Sequence, residues 1–168
     1  MGQGAMVENG IYYMREEYKE LIRSLGGTYE DTKKRPIVCL IQSTDYPEIF
    51  WAIPMGKLNH RDESKRQRVE KYLNLPKKDI RSCYYHIGRT TTQSIFFISD
   101  AFPITEKYIA EEHRDSKKAP YVIRDEKLSE ELKRKLLRIL KLEDSRENYF
   151  RQHITDIKRY LINEIENK

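Results

Sequence analysis

Apolar residues recur along this chain at two different periods. Tyr18, Leu21, Ile22 and Leu25 are spaced three and four apart, which predicts a helix within Tyr12 to Leu25, stopped by Gly26-Gly27. The next apolar runs are short, continuous and rich in β-branched residues. Ile37 to Ile41 and Ile49 to Ile53 read as strands, and the turn-like Ser43 to Pro47 between them predicts an antiparallel hairpin. Ile95 to Ile98 reads as a third strand leading into Asp100 to Ile104, and Cys83 to Ile87 supplies another short one. The segment His60 to Leu75 is charged and partly helical, suited to an insertion over one end of a barrel. The helical period then returns. Leu132, Leu136, Ile139 and Leu140 after Leu128 mark one amphipathic helix; Phe150, Ile154, Ile157, Leu161 and Ile165 mark another, with Asp144 and Glu147 as its capping box.

Strands followed by helices, without an internal repeat or low-complexity segment, predict the α+β class. The expected architecture is a small, strongly bent antiparallel sheet or barrel with helices around it. A single domain is expected over residues 1–168. Residues 1–10 are expected to be flexible or a tag, with Met6 a natural start; residues 11–110 form the barrel core with insertions, and 125–166 the C-terminal helices.

Composition narrows the picture. The 168 residues carry 32 Lys+Arg against 27 Asp+Glu, a net charge of +5, which is only moderately basic. Twelve Tyr, five Phe and one Trp exclude wholesale disorder. No apolar run approaches the ~20 residues that span a bilayer and no signal peptide is visible, so a soluble, cytoplasmic protein with no membrane partner is expected. Cys39 and Cys83 have no Cys or His near them at zinc-ligand spacing and read as reduced core thiols. The four histidines, His60, His86, His113 and His153, are scattered, and no Gly-rich phosphate loop or nucleophile elbow is present. Metal-dependent and nucleoside-triphosphate chemistry are therefore disfavoured, and no cofactor is expected.

The positive signal is cations interleaved with aromatics. Tyr12, Tyr13, Tyr29, Lys33, Lys34 and Arg35, then Lys57, His60 and Arg61, cluster around the first two strands. Cations that neutralise phosphates and rings that stack on bases make a nucleic-acid surface of this kind; a solvated charged face is the plain alternative. Pro54-Met55-Gly56-Lys57 ends the second strand, where Gly56 permits close backbone approach and Lys57 can meet a scissile phosphate. His86-Ile87-Gly88-Arg89-Thr90-Thr91-Thr92-Gln93-Ser94 supplies an acid–base histidine and hydroxyls that can position a phosphate.

These segments, in this order, resemble one family. Tyr29-Glu-Asp-Thr-Lys33-Lys34-Arg35-Pro36 leads into a strand; a second strand ends in Ile53-Pro54-Met55-Gly56-Lys57-Leu58-Asn59-His60-Arg61; Ser94 to Ile109 forms a third, followed by helices. Over residues 10–140 the chain looks like the toxins of type III toxin–antitoxin systems, the ToxN/AbiQ group, and most closely its CptN-like branch. The resemblance implies a MazF/Kid-like (SH3-like) bent barrel and a metal-independent endoribonuclease acting in phage defence. It further implies inhibition by a small RNA antitoxin, a repeat-derived pseudoknot that the toxin also processes, in a protein–RNA hetero-oligomer. Target RNA would be cellular or phage RNA.

Carried onto this sequence, the family's phosphate-contacting lysine falls on Lys57. Its basic residue before the first strand falls on Lys33, Lys34 or Arg35, with the spacing from Tyr29 favouring Lys33. The N-terminal tyrosine matches Tyr12 or Tyr13. Where the family has a Thr-Ser pair before the lysine, this chain has Pro54 and Met55, so the hydroxyls come from elsewhere or are dispensable; Thr90 to Thr92, Ser94 and His86 are the candidates, with His86 or a tyrosine moving the proton. The expected catalytic set is thus Lys57, His86, Ser94 and Tyr12, and the RNA-binding set Tyr13, Tyr29, Lys33, Lys34, Arg35, Gly56, His60, Arg61, Arg89 and Thr90. Two other readings compete: a non-catalytic RNA- or DNA-binding module, and an interaction protein that docks through its amphipathic C-terminal helices.

Overall fold

The computed structural model describes residues 6–29, 35–58, 62–90, 92–112 and 121–167, with backbone alone at Glu111 and Glu112. Its strands are β1 (Gly10–Met14), β2 (Ile37–Gln42), β3 (Phe50–Lys57), β4 (Tyr85–Arg89), β5 (Gln93–Phe97), β6 (Phe102–Ile104) and β7 (Ile109–Glu112). The helices are α1 (Glu16–Ser24), α2 (Glu63–Leu73), α3 (Glu126–Ser145) and α4 (Ile154–Glu166). The protein is therefore α+β, with a seven-stranded antiparallel sheet in the order β4-β5-β3-β2-β1-β7 and β6 also on β3. Among the described residues no helix is long and apolar enough to cross a membrane.

β3 organises the sheet. Its first half pairs with β6 (Phe50↔Ile104 to Ala52↔Phe102), and its second half pairs on that same edge with β5 (Met55↔Phe96 to Lys57↔Ser94). Pro54 sits at the exchange. The Met55 N–H is directed at β2, donating to the Pro36 carbonyl at 3.2 Å, so the N–H that Pro54 lacks falls at the gap between β6 and β5. A central strand tolerates proline only where no ladder bond is lost. The sheet exchanges partners here but does not close: β4 and β7 remain its two ends, which corrects the expectation of a closed barrel.

Each face of the sheet has its own core. One gathers Ile11, Val38, Ile53, Met55 and Phe96 under Leu128, Leu132, Leu136 and Ile139 of α3. The other gathers Tyr12, Ile37, Cys39, Ala52 and Phe102 under α1 (Tyr18, Ile22) and α4 (Ile157, Leu161). Both cysteines are buried and neither forms a disulfide; burial pushes the Cys39 thiol far up. Met6 packs against the second core, and Asn9 donates to the Cys39 carbonyl at 2.9 Å, so residues 6–10 belong to the folded unit.

Two expectations change. Residues Tyr12 to Met14 are strand, and the helix starts only at Glu16, because Gly10 to Tyr12 pair with β2. Asp144 and Glu147 form no capping box. Asp144 lies inside α3, Glu147 pairs with Arg159, and it is Glu143 that ties the α3–α4 connection, accepting from the Asn148 N–H and, at 2.6 Å, the Thr155 hydroxyl. α4 instead starts from His153 in a left-handed conformation, at φ 54°.

That unusual start is matched by Gly26, which has φ 99°; a Cβ there would lie 2.6 Å from the His153 imidazole. Gly26→Ala therefore meets both backbone strain and a clash, and a destabilisation of about 2 kcal/mol is expected. The urea midpoint of this variant checks it; an unchanged midpoint would refute the coupling between the end of α1 and the start of α4.

Candidate functional site

Lys57 is the last residue of β3 and stands directly opposite Ser94 of β5, which stands opposite Gly88 of β4. Partners across antiparallel strands project to the same side, so these three form one row across the sheet. Met55, Phe96 and His86 form the next row inward on the same face, the one that α3 covers. Gly88 admits the helix: a Cβ there would lie 2.5 Å from Leu128 Cδ1. Lys57, at the other end of its row, is exposed.

The β4–β5 hairpin fixes the hydroxyls. The Thr90 N–H donates to the Thr92 carbonyl at 3.0 Å, and the Ser94 hydroxyl donates to that carbonyl at 3.2 Å. With its proton so directed, Ser94 Oγ accepts from Thr90 Oγ1, 3.2 Å away. Ser94 is buried, so it acts through Thr90, whose side chain it holds at the hairpin tip. Arg89, exposed, and Thr90 line a cleft of about 270 Å³ with residues 121–125, which places the exposed Arg124 opposite them.

His86 has different surroundings. Its Nδ1 lies 3.0 Å from Lys135 Nζ, which also donates to the Tyr85 carbonyl at 2.9 Å. Burial, reinforced by the Lys135 charge, holds the imidazole down at about 4; burial and Arg134 also lower the Lys135 ammonium. At neutral pH the imidazole is uncharged and accepts at Nδ1, leaving the proton on Nε2. A group that titrates near 4 does not exchange protons readily at neutral pH.

Other candidates divide sharply. Ile37 is opposite Pro54 and the Pro36 carbonyl bonds to Met55, so Arg35 comes beside Gly56 at the Lys57 end of β3. Tyr13 is half-buried, and alternation along β1 puts it on the same sheet face as Ile11 and Lys57; burial raises its phenol, which stays protonated. Tyr12 does not join this group. It is buried on the opposite face, and its hydroxyl accepts from the Val7 N–H at 2.9 Å. Tyr29 is also core, edge-on to Phe102 at 5.9 Å, with its carbonyl bonded by the Arg23 guanidinium. Lys33, Lys34, His60, Arg61 and Thr91 lie outside the described residues.

Two residues at the site escaped sequence reasoning, Lys135 and Arg124. Lys135 carried a signal: it falls three residues after Leu132 and one before Leu136, on the apolar stripe of α3, where a lysine needs a partner. Arg124 carried none, since its position depends on the Ile123 N–H bonding the Asn9 carbonyl at 2.9 Å.

Fold and site together define an α+β protein whose open antiparallel sheet ends in a basic, hydroxyl-lined rim. No protein-family model matches the sequence, and no curated protein is detectably similar to it.

Proposed function

We propose that this protein is a metal-independent endoribonuclease, the toxin of a type III toxin–antitoxin system, acting in the cytoplasm in phage defence. Its sheet would be an open variant of the MazF/Kid-like, SH3-like fold; the sharing of one edge of β3 by β6 and β5 supports that. The observation that carries the reading is the row itself: Lys57 opposite Ser94, whose hydroxyl holds Thr90 at the hairpin tip, with Arg35 and Arg89 at the same strand ends but on the other face of the sheet. This concentrates cations and a fixed hydroxyl at one exposed strand end, which is what a scissile phosphate requires.

In this reading RNA supplies the nucleophile. The 2′-oxygen attacks the adjacent phosphorus, the P–O5′ bond breaks, and the products carry a 2′,3′-cyclic phosphate and a 5′-hydroxyl. The 2′-hydroxyl proton leaves to water or a non-bridging oxygen, and the departing O5′ takes up a proton, for which the protonated Tyr13 phenol on the same sheet face is the candidate donor. Lys57 balances the charge that grows on the phosphorane oxygens, and Thr90, held by Ser94, orients the phosphate. His86 is a positioning residue, locking Lys135 and the β4 edge. The same basic rim would retain the pseudoknot RNA after the toxin has processed it.

The test is an RNA cleavage assay with purified protein in excess EDTA, with analysis of the product ends. Cuts bearing cyclic-phosphate and 5′-hydroxyl ends are expected at an undiminished rate. Salt-sensitive RNA binding without any cutting by RNA-free protein would leave a binding module in place of the enzyme.

A further inference from the structure

Tyr12 and Tyr29, near the first two strands, are core residues, but half-exposed rings collect elsewhere. Tyr72 of α2, Tyr84, Tyr85 of β4, Phe97 of β5 and Tyr149 line a cleft of about 480 Å³ together with Arg68. The rings are ordered against one another. Tyr72 stacks on Tyr85 at 5.6 Å and 29° and meets Tyr84 edge-on at 5.9 Å; Tyr85 meets Phe97 edge-on at 6.1 Å. Tyr149 is 46% exposed, far more than core packing requires.

Charge points the same way. The Arg68 guanidinium is exposed, lies 5.8 Å from the Tyr72 ring centre, and has no ion pair with another described residue. Arg146 lies 5.8 Å from the Tyr149 ring centre. Arg151 is committed, holding Asp100 with two bonds of 2.7 Å, which neutralises the acidic side chain in the cleft. What remains is a set of partly exposed rings, two of them beside cations, chemistry that suits unpaired nucleobases on an anionic backbone better than an aliphatic protein surface.

We propose that this cleft stacks bases of a single-stranded nucleic acid, as a binding site distinct from the Lys57 row. Tyr85 and Phe97 alternate with His86 and Phe96, so the cleft belongs to the opposite face of the β4–β5 end. The two sites are nevertheless linked by the free edge of the sheet. Tyr85, Ile87 and Arg89 share one side of β4, and Arg89 reaches the hairpin tip beside the candidate site, roughly 13 Å along the strand from Tyr85. A nucleic-acid strand laid along β4 would therefore present phosphates to Arg89 while its bases fill the cleft. This inference stands apart from the catalytic reading, because stacking needs no attacking 2′-hydroxyl.

The experiment uses the full chain and fluorescein-labelled 2′-O-methyl hexauridylate, which lacks the nucleophile and cannot be cut. Tyr149→Ala and Arg68→Ala are each expected to weaken binding by about 5–10-fold, with unchanged melting temperatures because both side chains are exposed. A 4-thiouridine version should crosslink to peptides containing Tyr84–Tyr85 or Tyr149. A duplex of the same length should be indifferent to Tyr149→Ala. Unchanged affinity in both variants, as a protein-docking surface or a merely structural aromatic cluster would give, overturns the proposal. Absence of RNA cleavage together with intact, variant-sensitive oligonucleotide binding would remove the nuclease and leave this site standing.

Discussion

Lys57→Ala should lower the single-turnover rate of RNA cleavage by about 10²–10³-fold while leaving the unfolding midpoint unchanged. The two halves of that expectation have separate physical causes. Lys57 is exposed at the end of β3, and its backbone pairing with Ser94 does not depend on its side chain. Removing it therefore costs little folded stability. In the transition state the phosphorane oxygens gain charge that a nearby ammonium offsets, and that interaction has no equivalent in the ground state of the free enzyme. Lys57→Arg should recover part of the rate, since the charge remains but the compact ammonium is replaced by a planar fork. Quench-flow on a labelled RNA, beside thermal melts of the three proteins, checks this. A rate within threefold of wild type in Lys57→Ala would move the catalytic charge elsewhere on the rim, to Arg35, Arg89 or Arg124.

The second large effect is on stability against acid. The folded His86 imidazole is held at about 4, below its ordinary 6.5, by burial first and by Lys135 second. As pH falls, the unfolded chain takes up the proton before the folded one does. The stabilisation is therefore complete above about 6.5, declines as pH falls towards about 4, and is level below that. The gap corresponds to about 2 kcal/mol once partial solvent access to the ring is discounted. Asp45, Asp62, Asp79 and Glu131 all have carboxyls held below their ordinary values, so their stabilisation is lost at lower pH, in a separable window.

His86→Gln keeps an acceptor for Lys135 but does not titrate. Its urea midpoint should be nearly flat between pH 6.5 and 4.5, where the wild type falls. Lys135→Met should shrink the acid loss without abolishing it, because burial, the larger cause, persists. If His86→Gln loses as much stability as wild type over that interval, the imidazole is not the group responsible. The same sign holds for the Lys135 ammonium, also lowered when folded, but in a more alkaline window: its contribution improves as pH rises towards its ordinary range.

Much of the fold was legible because local signals were unambiguous. Ile37 to Ile41 and Ile49 to Ile53 became β2 and the start of β3, and the period from Leu128 to Leu140 became α3, since apolar spacing fixes which face must be buried. The segment from Tyr12 was not legible. Residues 12–14 fit a helical or an extended pattern equally, and only pairing with Ile37 and its neighbours made them strand. The same was true of the tyrosines. Tyr12 and Tyr29 have the composition of a nucleic-acid surface but lie in the core, whereas Tyr72, Tyr84, Tyr85 and Tyr149 form the exposed cluster. A tyrosine carries no mark of its burial, because its ring suits a core and its hydroxyl suits water.

By itself the sequence determined the α+β class, the hairpin of β2 and β3, the amphipathic helices, and the presence of a lysine at the end of a strand after glycine. Those follow from period, turn chemistry and residue type, which act over a few neighbouring residues. The tertiary structure alone decided that Lys57 meets Ser94, that His86 is kept neutral by burial and by Lys135 beside it, that the sheet stays open, and that four tyrosines from three separate segments share one cleft. Each of these depends on strand register or helix docking between distant segments, and register is set by the whole set of buried contacts at once.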